Sequence, residues 1–264
     1  MDDPYALIAL IGLPRSGTTL TARMIAAHSK VDGIVEPYHV RRGDNYREDD
    51  VHALAQSFDI TPKPARAIFV KETTTRVANV DATLDLLHKA RQQGVPTGLI
   101  VLLRSPFECY LSQVEASQKM WKQKSMTSIS DETFARFARA SLDGMQQIAR
   151  RGRGHRLRFV SYPALCADPT NELSRLMGIF PMRFEPTQIA LEPTKSAGGD
   201  PKAYAKQRIE LSDRSADVEA LLDDLSPGPD VAKMRKLGRL GRELATLTDA
   251  GAVDRLTDIV LPAR

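Results

Sequence analysis

Cysteine is scarce. Cys109 and Cys166 are the two in 264 residues, too few for a disulfide framework, and a reducing compartment is the expectation. Long apolar runs are missing as well. The N-terminal run "YALIALIGL" follows two aspartates, falls far short of the ~20 residues of a membrane span and lacks the basic flank of a leader peptide. It reads as a buried strand, in a protein expected to be cytoplasmic and without a membrane span. There is no internal repeat and no low-complexity segment. A dense basic stripe is also lacking: net charge is +4, which suits an anionic ligand but not a nucleic-acid surface. The local cluster Arg150, Arg151, Arg153, Arg156 and Arg158 reads as a solvated turn between a helix and a strand.

What is present is an ordinary globular composition, 42% hydrophobic and 27% charged, at a length that suits one large domain. Short apolar runs alternate with helical periodicity. "YALIALIGL", "GIVEP", "ARAIFVKET", "GLIVLLRSP" and "RLRFVSY" read as strands. "TTLTARMIAAHS", "DATLDLLHKARQQG" with a stop at Gly94, "PFECYLSQVEASQKMWKQ" opened by Pro106, "DETFARFARASLDGMQQIARRG" capped at Ser130 or Asp131, and "DPTNELSRLMGIF" read as helices. The alternation predicts an α/β fold, a mainly parallel sheet with helices on both faces. The stretch from about 186 to 216 reads as a long loop, and the tail from Asp217 onward as polar helix.

"LIGLPRSGTTL", residues 10–20, resembles a phosphate-binding loop without its lysine. The pattern G-x-x-x-x-G-K-[ST] keeps Gly12 and Gly17, but Thr18 stands at the lysine position and Arg15 brings a cation earlier. A loop between a strand and a helix aims backbone N–H groups and a helix N-terminus at one point, an anion site. Arg15, Ser16, Thr18 and Thr19 add donors. A nucleoside triphosphatase also needs an aspartate for Mg²⁺ at a strand end, and "GLIVLL" ends in Arg104 instead. A cation there suits a ligand with an additional phosphate.

With these residues the chain resembles the sulfotransferases that use 3′-phosphoadenosine 5′-phosphosulfate, and "PRSGTTL" is similar to their protein-tyrosine and carbohydrate branches. The resemblance implies a P-loop-like three-layer sandwich, here a single domain over residues 1–264 with a helical C-terminal extension from about 217. It implies that Pro14, Arg15, Ser16, Gly17, Thr18 and Thr19 hold the 5′-phosphosulfate. Arg104 and Ser112, eight positions apart in "LLRSPFECYLSQ", would hold the 3′-phosphate. Tyr162 in "FVSYPALCADP" either lies near the nucleotide or is an ordinary half-buried aromatic. The product would be adenosine 3′,5′-bisphosphate, and no metal is expected. The two other readings of the loop are a P-loop kinase using ATP and a non-catalytic nucleotide-binding protein on the same fold.

Sulfuryl transfer needs cations on the departing phosphate and, for a hydroxyl acceptor, a general base. Arg15 is placed for the first task. The resemblance assigns the base to Glu36, twenty-one positions after Arg15, and to Lys71, at the end of "AIFVK", a contact with the leaving oxygen. Pro37 is expected to hold Glu36 extended. His39 is the competing base, whereas His28, His52, His88 and His155 read as helix-face or loop residues. Glu72 pairs with Lys71 or Arg76, or faces the acceptor. Lys195, Gly198, Gly199 and Lys202 loosely match the family's C-terminal nucleotide loop. Tyr38, Trp121 and Tyr204 are aromatic candidates for binding a small-molecule, carbohydrate or peptide acceptor.

Overall fold

The computed structural model describes residues 5–38, 50–64, 66–121, 128–179, 182–191, 211 and 213–261. Three apolar runs form the middle of its sheet because both of their faces are covered. β1 (Ala6–Gly12) and β4 (Thr97–Leu103) are buried at every position, and β3 (Ala67–Thr73) at all but its last. The flanking strands β2 (Val31–Val35) and β5 (Arg156–Ser161) alternate or are exposed at one end, as edge strands are. All pairings are parallel, in the order β2-β3-β1-β4-β5.

Strand periodicity divides the core in two. Ala6, Ile8 and Leu10 of β1 face α1 (Thr18–Ala26), α6 (Tyr162–Ala167) and α7 (Pro169–Met177), meeting Leu20, Met24, Leu165 and Leu173. Leu7, Ala9 and Ile11 face the other layer. That layer holds α2 (Val51–Gln56), α3 (Val77–Gln92), α4 (Pro106–Ala116) and α5 (Asp131–Arg151). The three-layer sandwich expected from the alternation is therefore present.

The C-terminal helices are less of an appendage than their polarity implies. α8 (Ser215–Asp224), α9 (Pro229–Glu243) and α10 (Asp249–Val260) place Leu221, Met234, Leu237, Leu240, Leu256 and Val260 in the second layer. Each such apolar side chain, fully buried, contributes about 1.5–3 kcal/mol relative to exposure.

Local signals operate where expected. Ser130 caps α5 by accepting from the Thr133 amide, Asp168 caps α7 from the Asn171 amide, and Gly94, at φ +81°, follows the end of α3. α3 starts at Val77, before the expected Asp81, and α4 ends at Ala116 in a π-helical turn, Ser117–Trp121. The arginine cluster does lie between α5 and β5, but it is pinned to carboxylates rather than merely solvated. Arg151 pairs with Asp81 and Asp85, Arg153 with Asp254, and Arg158 with Asp249. Both cysteines are free thiols. Among the described residues no helix is long and apolar enough to cross a membrane.

β1 has β3 on one side and β4 on the other, while the chain leaves β1 toward the far edge at β2. That reversal opens a crevice at the carboxyl end of β1, the place where open α/β sheets bind ligands.

Candidate functional site

Leu13 to Gly17 turn the chain from β1 into α1 within this crevice. Ser16 seals the turn: its amide and hydroxyl both donate to Leu13 O, at 3.1 and 2.7 Å. Arg15 sits at φ +66° and Gly17 at φ +97°. Gly17 is the N-cap of α1 and offers no side chain to cap it, which leaves the first-turn amides for an anion. Glycine is required there twice over, by the positive φ and by contact. A Cβ on Gly17 would lie 2.1 Å from Cε2 of Tyr162. A Cβ on Gly12 would lie 2.8 Å from both Ser16 Oγ and Thr18 Cγ2. Thr18 and Thr19 are buried at the start of α1, and Pro14 is half-buried in the turn.

The residues chosen from the second motif converge on the same turn. Arg15 Nε donates to Ser112 Oγ at 3.2 Å, across 97 residues of chain. Arg104 donates from Nε to Glu108 Oε2 at 2.8 Å and from Nη1 to Arg15 O at 3.5 Å. Its guanidinium also lies 5.0 Å from the centre of the Tyr162 ring. Tyr162 is 4% exposed, so it is more deeply enclosed than a half-buried strand residue. It is also the first residue of α6 rather than part of β5. Burial raises its phenol above the ordinary range, Cys166 adds to that and Arg104 opposes it; Tyr162 is a neutral wall against Gly17. Behind it the Cys109 thiol is pushed up to about 12 by burial, against the pull of Arg104, and is an inert packing group.

On the β3 side, Lys71 and Glu36 form an ion pair, with Lys71 Nζ donating to Glu36 Oε1. The Lys71 side chain is 1% exposed and that of Glu36 16%. A solvated strand-end lysine is therefore excluded. Glu36 is not extended, as Pro37 predicts, but left-handed at φ +51°. Its amide continues the β2–β3 ladder by donating to Lys71 O at 2.8 Å, and its carboxylate turns back to the Lys71 ammonium. A tertiary ion pair and a ladder bond outweigh the local preference, at about 1–3 kcal/mol of backbone strain.

Glu72 does not face solvent. It is 1% exposed, and burial raises its carboxyl to about 7, with Lys71 opposing and Glu36 adding to the rise. Tyr38, 2% exposed, is enclosed. Trp121 closes the π-helical turn after α4. His28 bonds Arg183 O, His52 the Tyr5 hydroxyl, His88 Gln92 and His155 Thr97, so these four are structural. His39, Tyr204 and the segment carrying Lys195, Gly198, Gly199 and Lys202 lie outside the described residues. Glu108 was missed by sequence reasoning. Its signal was available: a carboxylate four residues after Arg104 on a helix reaches its guanidinium.

No protein-family model matches the chain, and no curated protein matches it in sequence. In structure the chain is similar to the sulfotransferase domain of the olefin synthase of Synechococcus PCC 7002. The TM-score is 0.56 at 16% identity, covering 89% of this chain and 94% of that one. It is also similar to mouse sulfotransferase SULT7A1 complexed with PAP, at TM-score 0.52 and 16% identity, covering 92% of this chain and 89% of that one. The fold is the sulfotransferase fold. At this identity the likeness concerns the backbone, so the chemistry of the site is argued from its own residues.

Proposed function

We propose that the chain, acting as a single domain, transfers a sulfuryl group from 3′-phosphoadenosine 5′-phosphosulfate to a hydroxyl or amine of an acceptor. The observation that carries this reading is the convergence of two cationic groups on one glycine turn. Arg15, Arg104, Ser112 and Tyr162 meet on its α4 side, and the neighbouring strand β3 carries Lys71, paired with Glu36 just after β2. Arg104 can take a 3′-phosphate through Nη1 while Glu108 fixes its Nε edge. The Gly17–Thr19 amides and Arg15 would hold the 5′-phosphosulfate; Ser16, expected to add a donor, instead spends its amide and hydroxyl on Leu13 O and shapes the turn. One structural neighbour is named as complexed with PAP, which is consistent with such a donor.

In the transfer step the acceptor oxygen bonds to sulfur as the bond from sulfur to the 5′-phosphate oxygen breaks. The acceptor proton passes to Glu36, and adenosine 3′,5′-bisphosphate departs. Arg15 and Lys71 neutralise charge growing on the departing phosphate, the kind of preorganised stabilisation that dominates group transfer to and from phosphates. Glu36 suits the base because its carboxylate is oriented by Lys71 and is partly open.

The test is mass spectrometry of acceptor mixtures incubated with the protein and donor, seeking a gain of SO₃. Thermal shifts with adenosine 3′,5′-bisphosphate and with ATP plus Mg²⁺ run alongside. Stabilisation by the bisphosphate together with an SO₃ adduct supports transfer. Stabilisation by ATP–Mg²⁺ with a phosphorylated product moves the assignment to a kinase. Bisphosphate binding without any adduct points to a nucleotide-binding protein.

A further inference from the structure

A second cationic surface lies outside the donor crevice. α8 and α9 both pack against α4 and leave a groove of about 240 Å³ between the three helices. α9 lies close there: a Cβ on Gly238 would be 3.1 Å from Pro106 Cδ, and one on Gly241 3.4 Å from Leu103 Cβ. The floor is apolar. Phe107 is 5% exposed, its ring stacked on that of Phe134 with centres 5.6 Å apart, and the half-buried Val218 and Leu222 line the same groove from α8. The rim is cationic. Arg235, Arg239 and Arg242 line it from α9 and are exposed, spread over roughly 10 Å of helix axis. Among the described residues none of the three has a carboxylate within ion-pair distance, whereas Arg151, Arg153 and Arg158 each do. No acidic residue lines the groove; the remaining polar side chain is Ser105. A neighbouring groove between α9 and α10 differs in that Glu243 and Asp258 stand in its wall with Lys236, Arg239 and Arg255, so its cations already face carboxylates.

We propose that the groove between α4, α8 and α9 binds a small amphipathic organic anion, a short alkyl or aryl body carrying a carboxylate, sulfate or phosphate. The body covers Phe107, Val218 and Leu222 and takes their apolar surface out of water. The head lies against the arginines, whose planar donor forks match pairs of carboxylate, sulfate or phosphate oxygens. One exposed ion pair would contribute little; three cations of one sign above an apolar floor focus their field on the same ligand. The volume, about 240 Å³, is below the ~300 Å³ at which sites for drug-sized ligands begin, and suits a few carbons or a single ring rather than a nucleotide. The lining shares no residue with the Gly17 turn or the Lys71–Glu36 pair, and the proposal does not rest on the sulfuryl-transfer reading.

The experiment titrates hexyl sulfate and hexanoate into the full chain, with 1-hexanol and inorganic sulfate as controls, and follows the methyl signals of Val218 and Leu222 by NMR. Both anions are expected to shift these signals saturably, and each control to bind about tenfold more weakly or worse, since it lacks either the head or the body. Arg239→Gln should weaken hexyl sulfate by about tenfold, the scale of one charge-assisted contact, and its exposed position leaves the fold intact. Adenosine 3′,5′-bisphosphate at high concentration should leave the affinity for hexyl sulfate unchanged. Equal affinity for 1-hexanol would reduce the groove to an apolar crevice, and an unchanged affinity in Arg239→Gln would remove the arginine rim from the site. Shifts absent at Val218 and Leu222, or competition by the bisphosphate, would place any bound anion elsewhere. Each of these results overturns the proposal, as does a response confined to an acidic peptide such as hexaglutamate, which would make this face a protein-docking surface.

Discussion

On the α4 side of the glycine turn, cations are held by neutral or matched partners: Arg15 by the Ser112 hydroxyl, Arg104 by Glu108 and the Tyr162 ring. On the β3 side, Glu36 holds one buried ammonium, the buried Glu72 carboxyl on the opposite face has one oxygen without a hydrogen-bond partner, and the backbone at Glu36 is strained. The first arrangement is the one proposed as an anion cradle, with its cations held in place beside one turn. The second is a largely buried ion pair with a buried carboxyl next to it in sequence. On the sulfuryl-transfer proposal, the first region would seat the nucleotide and the second would lie at the bond that changes.

The comparison is broken most severely at Glu36. Glu36→Gln should lower kcat by about a hundredfold or more, the usual scale of positioned proton transfer, while affinity for adenosine 3′,5′-bisphosphate hardly changes. Near-normal turnover in that variant, with His39→Ala inactive, would move the base to His39. On the cradle side, Arg104→Ala should weaken binding of adenosine 3′,5′-bisphosphate by roughly tenfold to a hundredfold, the worth of a charge-assisted contact. AMP, which lacks the 3′-phosphate, should lose much less, and calorimetry of both ligands separates the cases; equal losses would remove Arg104 from the 3′-phosphate.

Stability against pH sharpens the contrast. The folded carboxyl of Glu72 is raised from 4.5 to about 7, so between those values the folded chain binds more protons than the unfolded one. This group's contribution is therefore most favourable at low pH and is lost as pH rises through that window. Above pH 7 Glu72→Gln should be more stable than wild type by on the order of 2–3 kcal/mol, visible in denaturant midpoints, with little difference at the acid end. A variant less stable than wild type above pH 7 would count against a neutral Glu72. The smallest effect is expected from a chelator. With Arg15 and Lys71 supplying the charge, turnover measured in EDTA should equal turnover without it, and loss restored by Mg²⁺ would favour the phosphotransferase reading.

The two sides also differ in how far the chain itself revealed them. The cradle was legible because its parts lie close in sequence. Gly12 to Thr19 are contiguous, and the spacing of Arg104 and Ser112 spans two turns of a helix opened by Pro106. The strands were equally legible, since β1, β3 and β4 are apolar runs covered on both faces. Glu36 and Lys71 could be chosen from the sequence, but their pairing could not. They are 35 residues apart and meet because β2 and β3 are neighbours, with Val35 opposite Lys71. The local rule at Pro37 pointed to the wrong backbone for Glu36.

By itself the sequence determined the elements, the turn and the cations within it, because propensity, capping and glycine geometry act over a few residues. Only the tertiary structure decided that Tyr162 walls Gly17, that Glu72 is sealed with an unpaired oxygen, and that the polar C-terminal helices complete a core layer. Burial and charge coupling depend on which distant segments come together. A single residue's neighbours in sequence carry no record of them.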